Sequence, residues 1–292
     1  MLWCFLSYSG QLVFLENKLT DLRYRFRGEI TAPVKVMYVD VDTRAVQLLG
    51  ERPWNRENFG QAAAALLDTG KARGVGFDFV FSALVFSEMV DPKKIAAGNL
   101  SLGRVIRRHP RIVLAAQYTE GAGTVQKEGK RRELPLLRTG FTDRSKVDLP
   151  ELPQDILSGI YMDKATGKLT RYGRVGLIDV DEGYGSDAVP RWVPLFAHTI
   201  SPTFYHLSLQ LALLDAGLDE DAVEIFDDRI DLVDHSGVLR GTIPLVERQL
   251  LEVNWFSRWR NDELNPRESL ADVLLYQKDL TSEHPDERQF AL

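Results

Sequence analysis

Two stretches decide the fold: Pro53-Trp54-Asn55-Arg56 and Gly74-Val75-Gly76-Phe77-Asp78-Phe79-Val80-Phe81-Ser82. The first marks where a loop meets a helix. The second is a nearly unbroken apolar run carrying one acid, the pattern of a parallel strand covered on both faces. Between them, Phe59, Ala62, Ala63, Leu66 and Leu67 follow the i, i+3, i+4, i+7, i+8 spacing of one helix face. Asn55 is a natural N-cap for that helix, and Gly70 stands at its C′ position. Just upstream, residues 34–41 form another apolar strand, ending in Val39-Asp40-Val41-Asp42. Residues 34–82 therefore predict one βαβ unit with acids at or near its strands.

The pattern continues outward. Residues 92–108 predict a second helix, with Ile95, Leu102, Val105 and Ile106 apolar, and residues 111–117 a third strand. This β-α-β-α-β order implies a parallel sheet with right-handed crossovers. Residues 119–153 form a polar insertion with a charge run at 126–133. Residues 174–180 and 191–196 predict strands, with turn chemistry at Asp181-Glu182-Gly183-Tyr184-Gly185. Ser201-Pro202 predicts the start of a helix running to Gly217. Strands at 223–226, 229–233, 242–245 and 250–256 suggest antiparallel pairing, and residues 269–278 a last helix. Upstream, Leu22, Tyr24 and Phe26 alternate with three arginines, which suits a strand; a helix running on from the N-terminus is equally open, and Gly28 ends either. The fold class is α/β: a mixed sheet with a parallel βαβαβ N-terminal half flanked by helices and a more antiparallel C-terminal half. No linker forces a division, so residues 16–292 are taken as a single domain.

Composition narrows the classes. An apolar fraction of 44% over 292 residues argues for a folded chain. A net charge of −6 argues against nucleic acid as a partner. The cluster Arg104, Arg107, Arg108 and Arg111 reads as a solvated helix end. Cys4 is the one cysteine, so no internal disulfide forms. Residues 1–15 carry no charged side chain, but a membrane-spanning helix needs about 20 apolar residues. With neither a basic n-region nor a small-residue cleavage site, they do not resemble a signal peptide. They read as the end of a membrane helix or as an amphipathic lead-in.

An ordered set of pieces resembles the type-2 CHASE domain, a sensory domain found outside the cytoplasmic membrane in bacterial signalling proteins. The pieces are Leu15-Glu16 with Asp21-Leu22-Arg23-Tyr24-Arg25-Phe26-Arg27-Gly28, then Val39-Asp40-Val41-Asp42 and the two opening stretches. They continue with Asp179-Val180-Asp181, Arg191-Trp192-Val193-Pro194-Leu195, Asn254-Trp255 and Asp272-Val273-Leu274. Together they span almost the whole chain in family order. On this resemblance Asp21, Arg23, Arg27, Gly28, Pro53, Phe77, Phe81, Asn254, Trp255 and Asp272 are structural motif positions. Read from the residues themselves, Asn254-Trp255 ends a strand by turning the chain, with the tryptophan expected to be buried. The resemblance implies a sensory, non-catalytic domain on the periplasmic or extracellular side of the cell membrane. It also implies covalent linkage to membrane helices and to a cytoplasmic output module such as a cyclase or kinase. The family tends to carry a strand after the Asp-Val-Leu helix, and none is obvious here, so the chain reads as a fragment.

Asp40, Asp42 and Asp78 are the candidate site acids. Ligands of open parallel sheets bind beyond the carboxyl ends of the strands. Two neighbouring strands there would unite three acids to hold a cation or a cationic ligand. Trp54 and Arg56 stand at the same connection, Trp54 as a plug under the loop and Arg56 as an anion holder or a partner for Asp42. The alternative is structural: acids that accept loop hydrogen bonds or pair with arginine. No cofactor is called for, and a small ligand or signal is the expected partner. Two other classes compete. Asp40 and Asp42 resemble the Asp-x-Asp opening of haloacid-dehalogenase-like Mg²⁺ phosphohydrolases, although no later acidic pair completes that pattern. A ligand-free dimerisation module is the third reading.

Overall fold

The computed structural model describes residues 11–50, 54–79, 81, 91–118, 141–142, 147–148, 174–178, 191–199, 203–246 and 250–281. Pro53, the turn at 181–185, residues 1–10 and most of the polar insertion lie outside the described residues.

The open choice upstream resolves as a helix. Helix α1 (Gln11–Arg27) stops at Gly28, whose φ of +75° suits glycine alone. Strand β1 (Tyr38–Asp40) is shorter than the apolar run that predicted it, because Val34, Val36 and Met37 remain exposed. Helix α2 (Thr43–Leu49) follows at once, capped by Asp42. Helix α3 (Arg56–Ala64) begins behind Asn55, whose side chain accepts from the Glu57 N–H at 3.0 Å, and runs on as a π turn to Thr69. Strand β2 (Val75–Phe77) leads to helix α4 (Pro92–Arg108), predicted to the residue. Asp91 caps α4 by accepting from the Lys93 N–H, and Pro92 takes the first helical position.

Strand β3 (Ile112–Tyr118) begins the middle of the main sheet. The strands after it are β4 (Phe141–Thr142), β5 (Val147–Asp148), β6 (Arg174–Leu177), β7 (Trp192–Pro194), β8 (Phe196–Thr199) and β9 (Thr203–His206). The main sheet has the order β2-β3-β6-β9-β8-β4, with β5 beside β3. Strands β2 and β3 are parallel, as the sequence predicts; β6, expected only as a strand, joins β3 in parallel, and β8 turns back antiparallel to β9.

Two expectations are corrected. Ser201 and Pro202 lie outside the described residues, and the helix predicted from them does not start directly behind them. The chain beyond them is β9, in which Phe204 and Tyr205 are both buried but serve opposite cores, the alternation of a strand. Helix α5 (Leu207–Ala216) starts later, with His206 Nδ1 accepting from the Ser208 N–H, and ends at the left-handed Gly217. The helix reaches the sheet closely: a Cβ on Gly176 would lie 2.6 Å from the Leu207 Cα.

The second correction concerns the single βαβ unit over residues 34–82. Strand β1 does not join β2. It pairs in parallel with β14 (Arg267–Ser269), which precedes helix α6 (Leu270–Thr281), and Asp40 stands opposite Ser269. Packing explains the choice. Val39 and Val41 lie against Ala45, Ala62, Ala65, Leu270 and Val273, so β1 buries its apolar face among α2, α3 and α6.

The C-terminal half is antiparallel as predicted. Strands β10 (Val223–Ile225), β11 (Arg229–Val233) and β12 (Leu239–Pro244) form one sheet, and β13 (Leu250–Glu252) pairs with β7. A core of Phe77, Phe81, Leu102, Ile106, Ile112, Leu114 and Phe204 lies between the main sheet and α3–α4. A second core of Leu195, Phe196, Leu209, Leu213, Ile230 and Leu232 lies between α5 and the small sheet.

Candidate functional site

The two stretches that decide the fold meet in space. Trp54 lies 6.3 Å from Phe59, ring to ring, and Phe59 reaches Phe81 at 5.7 Å. Phe77 and Phe81 meet edge to face at 5.5 Å. The Arg56 guanidinium sits 5.4 Å from the Phe81 ring centre, and its Nη1 donates to Asn99 Oδ1 at 2.8 Å. Trp54 Nε1 donates to the Gly50 carbonyl at 2.7 Å, which ties the start of α3 to the end of α2. Trp54 is therefore the partly buried plug that the sequence suggests, and Arg56 joins α3 to α4.

The three acids take separate places. Asp42 Oδ1 accepts from the Ala45 N–H at 2.9 Å and from the Ser269 hydroxyl at 2.7 Å. Those bonds, the backbone one first, hold its carboxyl below the usual range. Ser269 Oγ in turn accepts from the Ala271 N–H at 3.1 Å, so Asp42 and Ser269 cap α2 and α6 and bond to each other. Arg44 and Asp272 join the same two helices at 2.6 Å. Asp40 lies 3.7 Å from Arg267 of the neighbouring strand. Asp78 follows β2, which pairs with β3, and burial of part of its surroundings raises its carboxyl. β1 and β2 are not ladder neighbours, and among the described residues no group of three His, Cys, Asp or Glu is arranged to hold a metal ion.

A second arrangement escaped the sequence reading. Helix α1 docks through its polar side. Asn17 is buried, and Arg191 Nη2 donates to both Asp21 oxygens at 3.0 Å. Arg191 itself is only 5% exposed. The Tyr24 hydroxyl donates to the Val253 carbonyl at 3.1 Å. Arg27 donates to Asn254 Oδ1 at 2.6 Å and also to the Trp255 carbonyl. Arg23, by contrast, bonds within its own helix, to Thr20. Beyond Gly28, Glu29 accepts from the Arg258 N–H and from Asn261, bonds that hold its carboxyl below the usual range. Trp255 is 43% exposed, which corrects the expectation that it is buried: the residue offers Arg27 its carbonyl, and its ring stays outside. The available signal was Asn17, Asp21 and Tyr24, a polar row at helical spacing opposite the leucines.

Where α1 crosses this surface, an open cavity of about 370 Å³ is lined by Tyr24, Pro244, Val246, Leu251, Glu252 and Asn254. It is a mostly apolar wall carrying one carboxylate and one amide. Burial and then the charge of Glu252 push the Tyr24 hydroxyl above its ordinary value. The chemistry on offer is recognition: charge pairing, amide contacts and apolar contact at the joint between a helix and a sheet. Among the described residues no helix is long and apolar enough to cross a membrane. Comparison with curated proteins and with solved structures finds no match. The family model of the CHASE2 domain, a sensory extracellular domain of signalling proteins, matches residues 1–289, and the chain belongs to that family.

Proposed function

We propose that this domain is the periplasmic signal-input part of a membrane-anchored bacterial signalling protein, with α1 as the element that carries the stimulus to the membrane. One observation supports the reading above the rest. The N-terminal helix is held to the body by polar contacts, Asp21 to Arg191, Tyr24 to Val253 and Arg27 to Asn254, while the uncharged segment 1–15 runs into it. Polar contacts of this kind contribute about 1 kcal/mol each when neutral and about 1.5–3 kcal/mol when one partner is charged, and they are set by direction, so a shifted helix can re-form them with new partners. A helix held so can shift on its support, whereas one buried by its leucines cannot. The cavity beside Tyr24 and Glu252 lies at this joint, where a small ligand with an apolar body and a cationic or amide group would bias the helix. The output module and the membrane helices belong to the same proposal. Asp40 and Asp42 serve pairing and capping, which fits a domain without catalysis.

A thermal-shift screen of the purified chain against amines, amino acids, sugars, nucleotides and divalent cations tests this. A ligand at about 100 times its Kd adds about 2.7 kcal/mol. A shift lost in Glu252→Gln supports the helix–sheet joint, and one lost in Asp78→Asn moves the site to the strand ends. Hydrolysis of a generic phosphate ester with Mg²⁺, abolished by Asp40→Asn, would overturn the non-catalytic reading.

A further inference from the structure

Tyr24 and Asn254, which line the cavity beside α1, already hold a guanidinium. Arg27, the last residue of the helix, lays its Cζ 4.9 Å from the centre of the Tyr24 ring, and its Nη1 donates to Asn254 Oδ1 at 2.6 Å. Its Nη2 donates to the Trp255 carbonyl. Arg27 therefore stands at the cavity rim. The charged group of the wall is Glu252, and its charge is felt at the Tyr24 hydroxyl. Among the described residues, no arginine, lysine or histidine pairs with Glu252. Pro244, Val246 and Leu251 complete the wall as apolar surface.

We infer that the ligand of this joint is a guanidinium on a short aliphatic stem, and that it binds by taking the place of Arg27. The inference rests on the joint being the input site and adds the chemistry that the site reads. A guanidinium is a planar fork of N–H donors that stacks on aromatic faces and pairs with a carboxylate through two bonds. Arg27 uses the ring and the amide but not the carboxylate. A free guanidinium entering the cavity meets all three, Tyr24, Asn254 and Glu252, while its stem lies along Val246 and Leu251. An ammonium lacks the fork, and an anion would face the Glu252 carboxylate. Occupation then has a mechanical consequence. Two cations repel each other over one amide oxygen, so Arg27 leaves, and α1 loses the bonds to Asn254 and Trp255 that tie its last turn. Asp21 and Arg191 still hold the helix one turn and more upstream.

The test is titration calorimetry on the whole chain with two probes: agmatine, a guanidinium on an aliphatic stem, and cadaverine, a diamine of similar length. Agmatine should bind at least about 10-fold more tightly than cadaverine, and Glu252→Gln should weaken it by about 10-fold or more, the loss of a charge-assisted pair. Arg27→Ala should tighten agmatine by about 10-fold, because the ligand is no longer limited to the fraction of chains whose rim is open. Tightening separates competition from support, since a residue that only shaped the joint would weaken binding when changed. Arg27→Lys keeps the charge and loses the fork, so tightening there as well reports the vacated place and not a lost repulsion. Arg27 is exposed, and both variants should keep the parent's circular dichroism. Agmatine should also quicken hydrogen exchange across residues 24–28 and leave residues 92–108 unchanged. Equal affinity for the two probes, or binding indifferent to Glu252→Gln, overturns the guanidinium site. Binding that weakens in Arg27→Ala overturns the exchange. Agmatine that binds neither the parent nor Arg27→Ala overturns both, and the input reading is then decided separately by the wider ligand screen.

Discussion

Helices α1 and α4 have the same length, 17 residues, and opposite attachments. Helix α4 buries Leu102 and Ile106 completely and leaves Arg104, Arg107 and Arg108 in water. Helix α1 buries Asn17, pairs Asp21 with the buried Arg191 and leaves its leucines outside. The first arrangement is held by the hydrophobic effect, about 25 cal/mol for each Å² removed from water. The second rests on a few polar bonds, each worth little net but orienting the helix closely. One chain thus carries a helix that fixes the fold and a helix suited to move on it. That division fits a sensory domain, which needs a rigid body and a displaceable element.

The largest expected difference between the two helices comes from truncating matched apolar residues. Ile106→Ala on α4 should cost about 2–5 kcal/mol, the loss of a fully buried side chain plus the cavity left behind. Leu19→Ala on α1 should stay within about 0.5 kcal/mol when measured on dilute protein, as for an exposed position. Urea midpoints for both variants check this. Equal losses would break the comparison, because they would show the α1 leucines covered in the single chain.

That contrast also shows what could be read from residues alone. The apolar steps of α4, with Asp91 and Pro92 at its start, located it to the residue because burial, capping and propensity all agree there. The parallel pair β2-β3 is legible for the same reason, whereas the place of β6 beside β3 is not, because a lone apolar strand carries no signal of its neighbour. Helix α1 stayed ambiguous between helix and strand, since Leu22, Tyr24 and Phe26 fit a period of two as well as a row of leucines fits a period near four. Its docking partners Arg191 and Val253 lie far along the chain, and no local pattern reports a pairing across that distance. The partner of β1 was lost likewise. The three-residue strand β14 precedes α6 and carries no periodic signal of its own, so β1 was assigned to the nearest strand in sequence. The site followed that assignment. Asp42 and Asp78 come together only if β1 pairs with β2, and β1 pairs with β14 instead, where Asp42, at the end of β1, caps α2 and bonds Ser269.

A smaller effect separates the two helices by dynamics. Asp21→Ala removes the carboxylate that meets Arg191, whose guanidinium stays in a buried place. The expected loss is about 1–3 kcal/mol. More telling is where it falls: hydrogen exchange should quicken across residues 11–27 and stay unchanged across 92–108. Uniform quickening would mean that α1 is part of the cooperative core. That result would sink the idea of a displaceable input helix.

The smallest expected effect concerns Glu220, a partly exposed acid beside the second core. Glu220, in the turn after α5, accepts from Gln210 Nε2, and Gln210 is wholly buried and also donates to the Val175 carbonyl at 3.2 Å. Burial raises the Glu220 carboxyl above its ordinary 4.5, against the opposing pull of the Gln210 bond and of Arg174. A raised acid holds its proton more tightly in the folded chain than in the unfolded one. Between 4.5 and the raised value the native state therefore binds more protons, and stability falls as pH climbs through that window. Glu220→Gln removes the charge and keeps an acceptor for Gln210. Its Tm relative to the parent should then be nearly constant below about pH 4.5 and rise as pH increases above it. Asp42, Asp231, Asp234 and Glu29 have lowered carboxyls and slope the other way, but they are common to both proteins and cancel in the difference. A flat difference from about pH 4 to about pH 8 would place Glu220 with the solvated acids. The buried anchoring of α5 would then be as purely apolar as that of α4, and α1 would be left as the helix whose attachment depends on charge.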